Sequence, residues 1–172
     1  WAAVKILSMK KFAIEIRWAI QFSIVSIVWM ILEKSLGWHD AHIGKQPFYT
    51  NLFGVVAIVL YILAIRDKKK NFYHNAITWK QAFLSGTIMT VAIAILSPAM
   101  NTIIYSWITP GFFDRMIDYR VAHKYQTLEK AQVYFNLRNY ILLGIFDTLS
   151  RGILTSAVIA LFVQTKNKPN EK

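Results

Sequence analysis

The stretch NYILLGIFDTLSRGILTSAVIALFV, Asn139 to Val163, decides the class of this chain, because it is long enough to cross a bilayer and yet contains Asp147 and Arg151. A hydrocarbon core of about 30 Å needs about 20 mostly apolar residues. A charge near the centre of such a helix costs roughly 2.5–3.5 kcal/mol on insertion scales, so two charges need a reason. Residues i and i+4 share a helix face, and an acid N-terminal to a base is the favoured order. Two readings follow: a self-compensated pair facing neighbouring helices, or a pair that belongs to a site.

Working outward, the chain of 172 residues is 55% hydrophobic, and its mean hydropathy is +0.36. Several apolar runs near the length of a bilayer span give the composition of a polytopic membrane protein rather than of a soluble domain. The net charge of +11 raises nucleic acid as a partner, but the bases flank apolar spans, the pattern of topology signals and anionic-lipid contact. No nucleic-acid partner is expected. Without cysteine there is no disulfide, thiolate nucleophile or thiolate metal site.

Four spans are expected at about 12–32, 48–65, 81–108 and 139–163, with a helical hairpin at about 110–138 and a polar, disordered tail at 164–172. Glu15 and Arg17 lie in the first turns of span 1, where their side chains can reach headgroups. Gly37 to Gly44 reads as a polar surface turn with an interfacial tryptophan. In span 3, Pro98 lacks an N–H and is expected to kink the helix and free the Ala94 carbonyl. Thr109-Pro110 reads as N-cap and first residue of a new helix. Thr127 reads as the cap of a second one, continuous with span 4. Met9-Lys10-Lys11 resembles a natural bacterial start, so residues 1–8 read as an upstream extension, a cloning remnant or the end of a larger segment. The first apolar run is longer than the roughly 7–15 residues of a signal-peptide core.

Lys and Arg collect in short cytoplasmic segments. Lys5, Lys10, Lys11, Arg66, Lys68, Lys69, Lys70, Lys80, Lys166, Lys168 and Lys172 outnumber Lys34, Lys45, Arg115, Arg120, Lys124, Lys130 and Arg138 on the other side. Both termini are therefore expected in the cytoplasm, with the hairpin outside.

The segments MKKFAIEIRWA, WMILEKSLGWHDAHI, YTNLF, RDKKKNFY, TWKQAFLSG, the Ser97-Pro98 pair and YFNLRNY together resemble small four-span bacterial inner-membrane proteins catalogued as domain of unknown function 4199. The resemblance runs from Met9 to about Val163 and implies fold and location, an all-α four-helix transmembrane bundle in the bacterial inner membrane. It implies no activity, and Asp147 and Arg151 are not among the residues that carry it.

On this topology Glu33, Asn51, Ser97, Asn101, Asp147 and Arg151 fall in one outer-leaflet layer, and polar groups in hydrocarbon tend to face one another or a wet cavity. A shared pocket and a set of independent helix caps are the alternatives. His39, Asp40 and His42 are weak metal candidates, since imidazole and carboxylate can hold zinc but further ligands would have to come from the hairpin. The sequence contains no Walker-type loop, HExxH or nucleophile elbow, and no cofactor is implied. Gly144, Ser150, Gly152, Thr155, Ser156 and Ala160 give span 4 faces on which another helix can approach closely. The expected function is that of a non-catalytic subunit or accessory protein, with the bilayer and a membrane protein as partners. The alternative is a small transporter or channel using Asp147 and Arg151.

Overall fold

Long apolar runs become long helices, and four of them dominate the structure, a computed structural model that describes the backbone of residues 2–165 and the side chains of residues 11–165. Helices α1 (Ala2–Ser35), α2 (Gln46–Asn71), α3 (Trp79–Ile103) and α6 (Leu137–Val163) form the bundle. Each is long and apolar enough to cross a membrane, and the chain is an all-α, multi-pass membrane protein. Between α3 and α6 stand a π-helical turn (Ile104–Ile108) and the hairpin helices α4 (Phe112–Ala122) and α5 (Leu128–Tyr134); a 3-10 turn (Ile43–Lys45) precedes α2. Among the described residues there is no strand. Trp1 and residues 166–172 lie outside the described residues, and with them most of the polar tail. The side chains of residues 2–10 do so too, so the reading of residues 1–8 as an extension is not addressed.

The centre of the bundle is the α3–α6 contact, and small residues set its closeness. A Cβ built on Gly86 would lie 2.4 Å from Ser156 Oγ, and one on Gly152 would lie 2.5 Å from Thr90 Cγ2. Gly152, Ser156 and Ala160 are all buried, and at four-residue spacing they form the stripe on which α3 rests. Around it gather Ala19 of α1, Tyr61 and Ile65 of α2, Met89 and Ile93 of α3, and Ile159 of α6, the first of two apolar cores. The second lies in the hairpin, where Ile43, Phe112, Met116, Ala131 and Phe135 are buried. Tyr105, Phe113 and Tyr140 pack on it, with the Tyr105 ring 5.3 Å from both Phe112 and Tyr140.

Several local expectations are corrected. Glu15 does not reach out of the bundle. Its carboxylate is buried, 2.9 Å from Lys68 Nζ, and it accepts the Ser85 hydroxyl at 2.9 Å. Lys68 also donates to the Lys11 carbonyl and lies 3.9 Å from the Phe72 ring centroid. This binds α1, α2 and α3 together at the end of the bundle opposite the hairpin. Arg17 is engaged too, pairing with Asp67, which accepts the Trp18 indole N–H at 2.7 Å. In the nearby connection, burial and secondarily the Glu15 carboxylate hold the Tyr73 hydroxyl above the usual tyrosine range.

The helix starts around the hairpin differ as well. Thr109 ends the π-helical turn, its N–H bonded to the Ile104 carbonyl at 2.8 Å, and α4 starts two residues after Pro110 from Gly111 in the left-handed region, φ 74°. Continuing the turn through Thr109 removes it as a cap, and a glycine takes the conformation that a side chain would resist. Thr127 caps α5, but α5 is not continuous with α6. Phe135 turns into the hairpin core, and Asn136 begins α6 by accepting the Asn139 N–H at 2.9 Å. The Ala94 carbonyl, which Pro98 cannot serve, accepts the Ser97 hydroxyl at 3.0 Å. Of the tail, only Gln164 and Thr165 lie among the described residues, and Thr165 donates its N–H to the Ile77 carbonyl at 2.8 Å and accepts the Ile77 N–H on its hydroxyl at 3.0 Å.

Candidate functional site

The two apolar cores do not meet across the whole bundle, and the space between them is a cavity of about 790 Å³. Its floor carries Tyr61 and Ile93 of the first core; its roof carries Met116 and Phe135 of the second. Asn51, Ser97, Asn101, Asp147 and Arg151 line it, whereas Glu33 does not. The cavity lies beside α2 and α6, which hold together near the floor through Tyr61 and Gly152 and farther on through Lys69, which donates to the Val163 carbonyl at 2.8 Å. A Cβ on Gly54, which lines the cavity, would meet nothing within 4 Å, so there is free space beside it.

Asp147 and Arg151 line the cavity from α6. Arg151 Nε is 2.6 Å from Asp147 Oδ1, with side chains 67% and 54% exposed respectively. Arg151 also donates to Asn51 Oδ1 at 3.3 Å, across from α6 to α2. Asn51 is turned for this by donating its own amide to the Pro47 carbonyl at 2.7 Å. The pair is therefore not enclosed by neighbouring helices; it sits at the mouth of the cavity with its charge largely compensated by its own partner. Asn101 closes the wall by approaching α6 where Gly144 leaves room, since a Cβ there would lie 2.8 Å from Asn101 Nδ2.

Glu33 stands behind the wall as the hub of a dry network. Its carboxylate accepts the Trp29 indole N–H at 2.5 Å, His39 Nε2 at 2.9 Å and the Thr50 hydroxyl at 2.7 Å, and neither Glu33 nor His39 has exposed surface. A carboxylate oxygen can only accept, so Nε2 carries the proton, and Nδ1 is left without a partner. Thr50 in turn accepts the Gln46 amide at 2.7 Å, and both Gln46 and Thr50 line the cavity. The reading of Gly37 to Gly44 as a surface turn is thus corrected at His39. Asp40 and His42 are exposed while His39 points inward, so the three weak metal candidates are not brought together. Among the described residues no group of three or more His, Asp or Glu side chains is placed to hold a metal ion.

The hairpin roof is fastened to this network. Arg115 Nε donates to the His39 carbonyl at 2.9 Å, and Tyr119 packs on Gly44, where a Cβ would lie 2.3 Å from its hydroxyl. Lys34 bonds the Ile108 carbonyl. The roof adds Tyr105, Arg120, Tyr134 and Tyr140 to the cavity, residues that the sequence reading did not single out as a site. One signal was available in the sequence for the network: Trp29 and Glu33, like Gln46 and Thr50, are spaced i, i+4.

A family profile described as protein of unknown function (DUF4199) matches residues 17–165. The chain belongs to this family. The DUF4199 match contains the whole cavity and the Glu33 network; Glu15 falls before its start. No curated protein and no solved structure is significantly similar to the chain.

Proposed function

We propose that this DUF4199 protein is a non-catalytic accessory protein of the bacterial inner membrane that takes an amphipathic molecule from the bilayer into the cavity between its two cores. One observation carries the reading: a cavity of about 790 Å³, within the size range of small-molecule sites, lined by apolar and polar groups, with the exposed Asp147 and Arg151 at its edge and free space beside Gly54. A site with a lipid-facing mouth and a mixed lining suits a molecule that has both characters. Conduction is disfavoured by the floor. Tyr61 and Thr90 hydroxyls bond at 2.7 Å, and below them the core continues through the buried Ile65, Ile159, Ala160 and Val163. Catalysis finds no support in the carboxylates: Asp147 is held by Arg151, and Glu33 is committed to three donors.

Gly54→Trp tests this reading, because Gly54 lines the cavity and a side chain there starts into free space. The variant is expected to fold and to lose most of the lipid or detergent that native mass spectrometry finds on the wild-type protein. Equal retention by the two proteins, or none by either, sinks the binding reading.

The orientation in this proposal has both termini and the connection between α2 and α3 in the cytoplasm and the hairpin outside, because the bases are in excess at the end of the bundle opposite the hairpin. Since the parent has no cysteine, single cysteines at the exposed positions Lys80 and Lys130 report the sides. An impermeant reagent applied from outside should label position 130 and not 80; the reverse pattern inverts the topology.

A second reading, a subunit of a membrane complex, is supported by the apolar groups the molecule leaves uncovered near the hairpin, Trp107 and Val133 most of all, 79% and 73% exposed.

A further inference from the structure

We propose that the amphiphile is an acid, and that Arg120 of α4 binds its head. The inference rests on the cavity being a binding site and names the chemistry that the site selects. Two cations line the cavity, Arg120 and Arg151, and they differ in how their charge is met. Arg151 has Asp147 and Asn51. Arg120 has no carboxylate: it takes part in none of the four ion pairs formed among the described residues. Asp114, Asp118 and Glu129 of the same hairpin are exposed to the surroundings and leave it unpaired.

The guanidinium is nevertheless held in place. It lies 5.7 Å from the ring centroid of Tyr125 and 5.7 Å from that of Phe135, and its Nε is buried with no hydrogen-bond partner. Aromatic faces attract a guanidinium and fix its plane, but they do not accept its N–H groups. No carboxylate meets the charge, and Arg120 lines the cavity, so its terminal Nη groups, rather than the enclosed Nε, are what a ligand there would meet. The group that fits is an oxyacid, whose paired oxygens match the planar fork of arginine. Tyr105, Tyr134 and Tyr140, at the same end of the cavity, offer hydroxyl donors to the same head. Below them Met100 and Leu143 lead toward the Ile93 floor, a flexible apolar lining suited to an alkyl chain. A carboxylate of a free fatty acid and a phosphate of a lipid headgroup share this chemistry.

The test compares binding of hexadecanoic acid, hexadecyl phosphate and hexadecanol to the full chain in neutral nanodiscs, for wild type, Arg120→Gln and Arg120→Lys. At least one acid should bind the wild type about tenfold or more tightly than the alcohol, the scale of one charge-assisted hydrogen bond. Arg120→Gln should remove that preference and leave the alcohol nearly unchanged. Preference for the carboxylate assigns the site to a fatty acid, and preference for the phosphate to a lipid headgroup; both support the proposal. Equal binding of acids and alcohol by the wild type overturns it while leaving the cavity reading intact, whereas failure of all three probes removes the cavity reading as well. A preference that survives in Arg120→Gln also overturns it. Should that variant not fold, Arg120→Lys decides, because it keeps the charge and loses the fork: a reduced acid preference supports the assignment to Arg120, and an unchanged one contradicts it.

Discussion

Lys68→Met unfolds a large fraction of the protein in detergent, and Glu15→Gln combined with Lys68→Met recovers most of it. The expectation follows from the burial of both groups and from the 2.9 Å separation of Lys68 Nζ and Glu15 Oε1. Removing the ammonium leaves a carboxylate enclosed among α1, α2 and α3 with the Ser85 hydroxyl as its remaining donor. Breaking a buried pair in this way commonly costs about 3–5 kcal/mol, whereas replacing both partners is far milder. Methionine keeps an apolar stem of similar length and removes the ammonium, including its contact with the Phe72 ring, so the loss reads the charge. Thermal unfolding followed by size exclusion gives the answer. Additive losses from the two changes would show that the residues do not act on each other.

Glu33→Leu has the second large effect, and it is local. Three donors converge on this carboxylate, and each buried donor left unmade costs about 1–3 kcal/mol. Glu33→Gln is milder but not silent: an amide has one oxygen for the two that are used, so one N–H must face another donor. Because Arg115 holds the His39 carbonyl, loosening the network loosens the roof. Amide hydrogen exchange should quicken in residues 36–45 and 112–122, while the α3–α6 contact around Gly86 and Gly152 stays protected. Exchange that rises equally everywhere would contradict a network confined to the hairpin end.

The fold was legible because it depends on quantities that a sequence displays directly. Apolar length gave the four helices, and among the six small residues that marked span 4 for close approach, Gly152, Ser156 and Ala160 form the face on which α3 packs. What was not legible depends on pairs distant in the chain. Glu15 read as a snorkelling residue because nothing near it in sequence announces Lys68, and His39 read as surface because its neighbours Asp40 and His42 are. Thr109 failed as a cap because the π-helical turn runs through it, and a change of helical pitch has no periodic signature in five residues. Of the polar layer, Asn51, Ser97, Asn101, Asp147 and Arg151 share one cavity wall, an arrangement approached from depth along each span. Arg120 escaped because its distinction is the lack of a partner, which only the packed hairpin defines.

The space between the two cores is where binding of an amphiphile is decided. The most direct measurement is a crystal structure of the wild-type chain grown from a lipidic phase, read at the cavity. Continuous elongated density is expected from the Arg120 guanidinium past Met100 and Leu143, leaving between α2 and α6 beside Gly54. A cavity closed by contact of α2 with α6 along Asn51 to Ala57, or one holding only discrete waters, would contradict the account.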